Sequence, residues 1–199
     1  MKIPKQVLDS VNLQANKILR PSVESSLRQT IEETKKQMIQ EFMNHPVTEE
    51  IMNGYNSENI SNTLNGNGNL FSFIGFESGD APIMPIIDIL EKTNVVFSRS
   101  GRNILTANIT LPSTQDIFAA TPMPWASGRS WAKGIETGIS GVGFYIQKYG
   151  QGRSEGGIQS NSKIRSGRFK NVPYISALLN KYRVLFSKIN YEQTNIKLS

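Results

Sequence analysis

Between Pro21 and Pro46 an apolar residue recurs at helical spacing, with Val23, Leu27, Ile31, Met38 and Phe42 on one stripe. Glu24, Arg28, Glu32, Lys35, Lys36 and Glu41 fill the rest of the circumference. Proline suits the start of a helix, and Glu24 puts negative charge in the first turn. At the other end, the residue before Pro46 is pushed out of helical dihedrals. The pattern predicts one helix over 22–44, about 35 Å long. A single narrow apolar stripe fits a helix laid across a sheet better than one inside a bundle.

The elements around it are shorter. Residues 1–21 mix Val7, Leu8, Val11, Leu13, Ile18 and Leu19 with polar neighbours and read as an N-terminal arm or short helix. Pro46 to Met52 reads as one or two helical turns stopped at Gly54. The Asn/Ser/Gly stretch 55–69 ends in Gly66-Asn67-Gly68, which lacks the third glycine, a following helix and the Lys-Ser/Thr pair of a phosphate loop and reads as a turn. Leu70, Phe71, Phe73, Ile74 and Phe76 read as a buried strand, and Pro85 opens a short helix to Lys92. Strands are expected over 94–99 and 103–111. In the second, Leu105, Ala107, Ile109 and Leu111 alternate with Thr106, Asn108 and Thr110, so one face is wet. Ser113 can cap a turn reaching Phe118. Trp131–Glu136 and Val142–Ile146 read as two more strands, separated by a glycine-rich bend. Asn171 and Pro173 suit the start of a last helix striped by Ile175, Leu178, Leu179, Tyr182 and Phe186.

The expected fold is α+β: a small, mostly antiparallel sheet packed by a long N-terminal helix and a C-terminal helix, with a long Gly/Arg-rich loop. One domain over 22–186 carries that loop at 150–168, between the arm at 1–21 and a C-terminal tail at 187–199. A length of 199 residues suits a single core of this kind.

Composition narrows the chemistry. There is no cysteine and only one histidine, which removes thiolate metal sites, disulfides and cysteine nucleophiles. His45, between a helix end and a proline, suits capping or packing, its imidazole within reach of the preceding helix's carbonyls. Glu49 and Glu50 are adjacent, so on a helix they diverge by about 100° and form no dyad. Asp88 and Asp116 read as caps or surface charges. Glu136 suits an ion pair with Arg129 or Lys133, within the subunit or between subunits. Trp125 and Trp131 flank a chain reversal and suit loop anchoring or an interface. No enzyme signature emerges, and no cofactor or metal site is expected. No apolar run nears the roughly 18 residues of a membrane span, and the first residues lack a signal-peptide core. A soluble protein of a reducing compartment is expected.

The net charge of +6 is polarised. Residues 1–97 carry a net −4, residues 98–147 a net +2 and residues 148–199 a net +8. From Lys148 to Lys188 only Glu155 opposes nine lysines and arginines. Arg153, Lys163, Arg165, Arg168 and Lys170 stand among glycines and serines, a composition that orders best on an acidic partner. Few aromatics accompany them, so phosphates or an acidic protein face suit this loop better than bases do.

The order of elements resembles the head–tail joining, or tail-completion, proteins of long-tailed bacteriophages. A long helix comes first. A strand-like motif follows, with Trp131, Glu136 and Gly138 answering to an aromatic-rich strand ending in Glu-x-Gly. Pro173 and Tyr174 answer to the family's late Pro-aromatic entry to a terminal helix. The resemblance spans 22–186. It implies a structural, non-enzymatic virion protein assembled in the host cytoplasm. Such a protein forms a homo-oligomeric ring, most often sixfold, between the head connector and the tail. Its partners would be other neck, connector and tail proteins, with double-stranded DNA crossing the lumen without sequence readout. Arg129, Trp131 and Glu136 are the candidate intersubunit residues. The alternative reading is a stand-alone basic nucleic-acid-binding protein.

Overall fold

The structure, a computed structural model, describes residues 5–66, 68–100, 104–139 and 169–194. Helix α1 spans Lys5–Met43, about 58 Å of continuous helix. It therefore runs through Pro21, where the sequence suggested a start. Proline removes one helical hydrogen bond and crowds the carbonyl four residues back. Pro21 is itself exposed, and a helix nucleated on either side propagates through the defect. The expected boundary between an arm and a domain is not a break in secondary structure.

Leu27, Ile31, Met38 and Phe42 of α1 are buried, as the stripe predicted, but their main partner is another helix. Helix α7, Ile175–Thr194, lies along α1, and the sheets are too small to receive it. The expected tail at 187–199 is thus helical as far as Thr194. Its apolar stripe extends past Phe186 to Ile189, which packs against the core.

Between these two helices the chain makes short elements. Helix α2, Pro46–Met52, begins after the reversal at Asn44-His45 and gives way to a 3-10 turn at Gly54–Asn56. Residues 70–74 form helix α3, Leu70–Ile74, not a strand. The Asn69 side chain accepts the Ser72 N–H at its start, and Gly75 closes it at φ +92°. A side chain at Gly75 would also meet the Trp125 ring, 3.1 Å from the Cβ position. Helix α4 is Met84–Glu91, with proline in its first turn.

Strands β1, Asn94–Ser100, and β2, Ile104–Thr110, pair antiparallel with Val95 opposite Ile109 and Phe97 opposite Ala107. The Arg28 guanidinium lies 4.5 Å above the Phe97 ring, tying this hairpin to α1. Helix α5, Thr114–Ala119, carries a reciprocal Ser113–Asp116 capping box. A second ribbon joins β3, Pro122–Met123, to β4, Ala126–Ser130. Residues 131–137 then form helix α6, Trp131–Thr137, where a strand was expected. Ser130 decides the outcome, because its hydroxyl accepts the Lys133 N–H and fixes the first turn.

The α+β class holds, with seven α-helices and two two-stranded antiparallel sheets among the described residues. The expected strand at 142–146 and the loop at 150–168 lie outside them.

Candidate functional site

Among the described residues, those singled out by sequence do not converge on one site. Trp131 is 1% exposed, and its ring meets Phe76 edge-on at 5.8 Å and Tyr174 at 6.3 Å. It fills the core and offers no surface to a neighbouring subunit. On α6 the Glu136 carboxylate points at the start of α7, accepting the Ser176 N–H at 2.6 Å and its hydroxyl at 2.6 Å. It is a helix cap, placed where negative charge complements an N-terminus. Asn171 and Pro173, expected to open this helix, precede it in a segment without regular secondary structure. Arg129 is exposed on β4. Of the basic loop residues only Lys170 lies within the described structure. Its side chain is exposed while its N–H donates to the Thr63 carbonyl at 2.9 Å. Arg153, Lys163, Arg165 and Arg168 lie outside it.

Two polar clusters stand out instead. The first surrounds Glu50, which is fully buried. Its carboxylate accepts the Leu70 N–H at 2.7 Å, the Ser61 N–H at 2.8 Å, the Ser61 hydroxyl and the Asn59 amide at 3.0 Å. Asn59 in turn accepts the Leu64 and Gly66 N–H groups, and the Asn69 amide donates to the Tyr55 and Ser57 carbonyls. The Asn/Ser-rich stretch is therefore an ordered loop wound around one carboxylate. With its acceptor positions filled from within the chain, Glu50 anchors the loop and has no room for a substrate. Sequence reasoning separated Glu49 from Glu50 but missed this role. The available signal was that Glu50 stands one turn after Val47, on the buried side of the helix, whereas Glu49 is exposed.

The second cluster sits in a shallow open groove between α1 and α7, lined by Gln37, Gln40, Glu41, Asn44, His45 and Tyr182. The Glu41 carboxylate accepts from Lys181 Nζ at 2.6 Å and from the Tyr182 hydroxyl at 2.8 Å. The bond from Lys181 is the main reason its carboxyl lies below the ordinary range. Both charged partners are solvent-exposed, so this clip is worth at most about 1 kcal/mol.

His45 caps α2, its Nδ1 accepting the Val47 N–H at 3.2 Å. That bond puts the proton on Nε2, which donates to the Pro173 carbonyl at 3.2 Å. The expected capping role is met, but on the following helix, and the carbonyl it binds is Pro173. The Tyr174 ring lies tilted beside it at 4.9 Å, and its own hydroxyl is bonded to Thr48. Burial lowers the His45 pKa below its ordinary 6.5, against the opposing pull of the Pro173 carbonyl and Glu41.

A pH dependence follows. The unfolded chain takes up the proton first, so stability is complete above about 6.5 and falls as pH drops through that value toward the folded pKa. Urea midpoints at pH 7.5 and 5.5 should show this loss, and His45→Asn, which keeps a capping oxygen, should flatten it.

Neither cluster presents a nucleophile beside a free base. Among the described residues no group of three His, Asp or Glu side chains converges to hold a metal, and no helix is long and apolar enough to cross a membrane. No protein-family model, curated protein or solved structure matches the chain.

Proposed function

We propose that this protein is a structural subunit of a phage virion neck, forming a tail-completion ring that joins the head connector to the tail around the DNA channel. The observation that carries this reading is the division of charge, a net −4 over residues 1–97 against a net +8 over 148–199. A closed ring built from one kind of subunit needs two different faces that complement each other, and opposite charge on two parts of one chain provides them. The polar clusters support the same reading, because Glu50, Glu136 and His45 are spent on holding elements together. The Trp131–Gly138 motif is a buried helix and its cap, so it bears on packing within the subunit, and the reading rests on charge.

Removing the gene from the parent phage tests this directly. Filled heads and finished tails should accumulate unjoined, and adding the protein should join them. Joined, infectious particles that lack the chain would refute the proposal. The basic segment also favours the alternative of independent nucleic-acid binding. That reading requires the isolated chain to bind DNA with an affinity that falls steeply with salt, and requires neutralising Arg165, Arg168 and Lys170 to reduce it.

A further inference from the structure

Residues 46–91 contain seven acidic side chains and no lysine, arginine or histidine. The same segment holds four of the six large apolar side chains that are exposed among the described residues: Met52, Tyr55, Ile60 and Met84. The two features adjoin along α2 and the loop after it, where Met52, Tyr55 and Ile60 alternate with Glu49 and Glu58. Glu49 and Met52 stand one turn apart on the outer face of α2, and both are exposed. Tyr55 follows at once, its hydroxyl bonded to the Phe76 carbonyl, while the Asp80 carboxylate accepts the next N–H, that of Glu77. Glu58 and Ile60 emerge together from the loop that Glu50 anchors. Methionine and tyrosine set in an acidic rim have the composition of a docking face, since a cluster of exposed apolar groups is otherwise a liability.

The chain also carries a matching face. On α7, Asn180, Arg183, Val184, Ser187 and Lys188 point outward on one side, and Val184 is 53% exposed. This face has an apolar residue between two cations, the counterpart of an apolar surface rimmed by carboxylates. The two faces belong to different elements and share no residue, so one cannot satisfy itself by meeting its own kind. We infer that the acidic face around Met52, Tyr55 and Ile60 docks the basic face of α7 on a second copy of this chain, head to tail. Because each copy presents both faces, such contacts repeat from subunit to subunit. The inference rests on reading the protein as an assembly subunit and identifies which surfaces meet.

Sedimentation velocity on the full chain tests it. Self-association should appear at about 50 mM salt and weaken by about tenfold or more near 0.5 M, where charges beyond roughly 4 Å are screened. Glu58→Lys with Asp80→Lys in one variant, and Arg183→Glu with Lys188→Glu in another, should each lose about tenfold or more in association. An equimolar mixture of the two variants should recover it, because each reversed face then meets a reversed partner. Val184→Asp, which alters the apolar anchor and leaves the cations in place, should also weaken it. A wild-type chain that stays monomeric at low salt, variants that associate like wild type, or a mixture that does not recover would each overturn the contact. A chain that occupies the neck but associates by other surfaces defeats the contact alone. A chain absent from joined particles that still associates through these faces defeats only the proposed function.

Discussion

Replacing Trp131 with alanine should destabilise the folded protein by about 3–5 kcal/mol, the range for deleting a large buried aromatic side chain. The ring is essentially inaccessible to solvent and packs against Phe76 from α3's flank and Tyr174 from α7's approach. Trp131 is also the first residue of α6, and its backbone N–H is bonded to the Thr121 carbonyl, so the ring is held at the junction of β4 and the helix. A domain of this size has about 5–15 kcal/mol in hand, so the loss should appear as a large drop in urea midpoint. Trp125→Ala should cost less, since that ring is only half-buried, with its Nε1 donating to the Ile74 carbonyl. The comparison separates two roles for Trp131. A core residue changes the melt of the isolated chain, whereas an interface residue would change association and leave that melt in place.

Glu50→Leu should cost about 3 kcal/mol or more. The substitution leaves the Leu70 and Ser61 N–H groups without their acceptor in a buried site, at about 1–3 kcal/mol for each orphaned group. Glu50→Gln should fall between wild type and Leu, because one amide oxygen still accepts while the amide nitrogen faces donors. Hydrogen exchange should locate the damage, with Ser61, Leu64 and Leu70 losing protection before the amides of α1 and α7. If Glu50→Leu folds with wild-type stability, the loop is held by its asparagines without the carboxylate. The acidic face proposed above sits on this loop, so Glu50→Leu should also weaken self-association, as a consequence of the lost anchor.

Elements with strong local signals were legible in the sequence. Pro46 opens α2, proline lies in the first turn of α4, Ser113 and Asp116 box the start of α5, and β2 alternates. The misread elements share one property. Leu70–Ile74 and Trp131–Thr137 are runs of five and seven residues, too short for periodicity to separate a buried strand from a buried helix. Each is decided by one side chain just ahead of it, Asn69 or Ser130, whose capping bond a reading of apolar spacing ignores. The error at α6 carried through to function. Placed on a strand, Trp131 and Glu136 point to opposite faces and invite an interface. Placed on a helix, Trp131 turns into the core and Glu136 reaches Ser176 forty residues away. Long-range partners of that kind are set by tertiary packing, which also explains why Glu50's four donors and the Lys181–Glu41 clip were invisible in sequence. Charge division was legible because it needs only a count.

On the proposed function, this protein acts through surfaces that fit copies of itself and neighbouring virion parts. Electron microscopy of intact parent particles, with the chain located and its copies counted, tests that claim most directly. The account predicts a closed ring, sixfold, seated between head connector and tail, with the α7 face of each copy against the Met52–Ile60 face of the next. Particles whose neck contains no copy of the chain, or contains it only as isolated single copies, would contradict it.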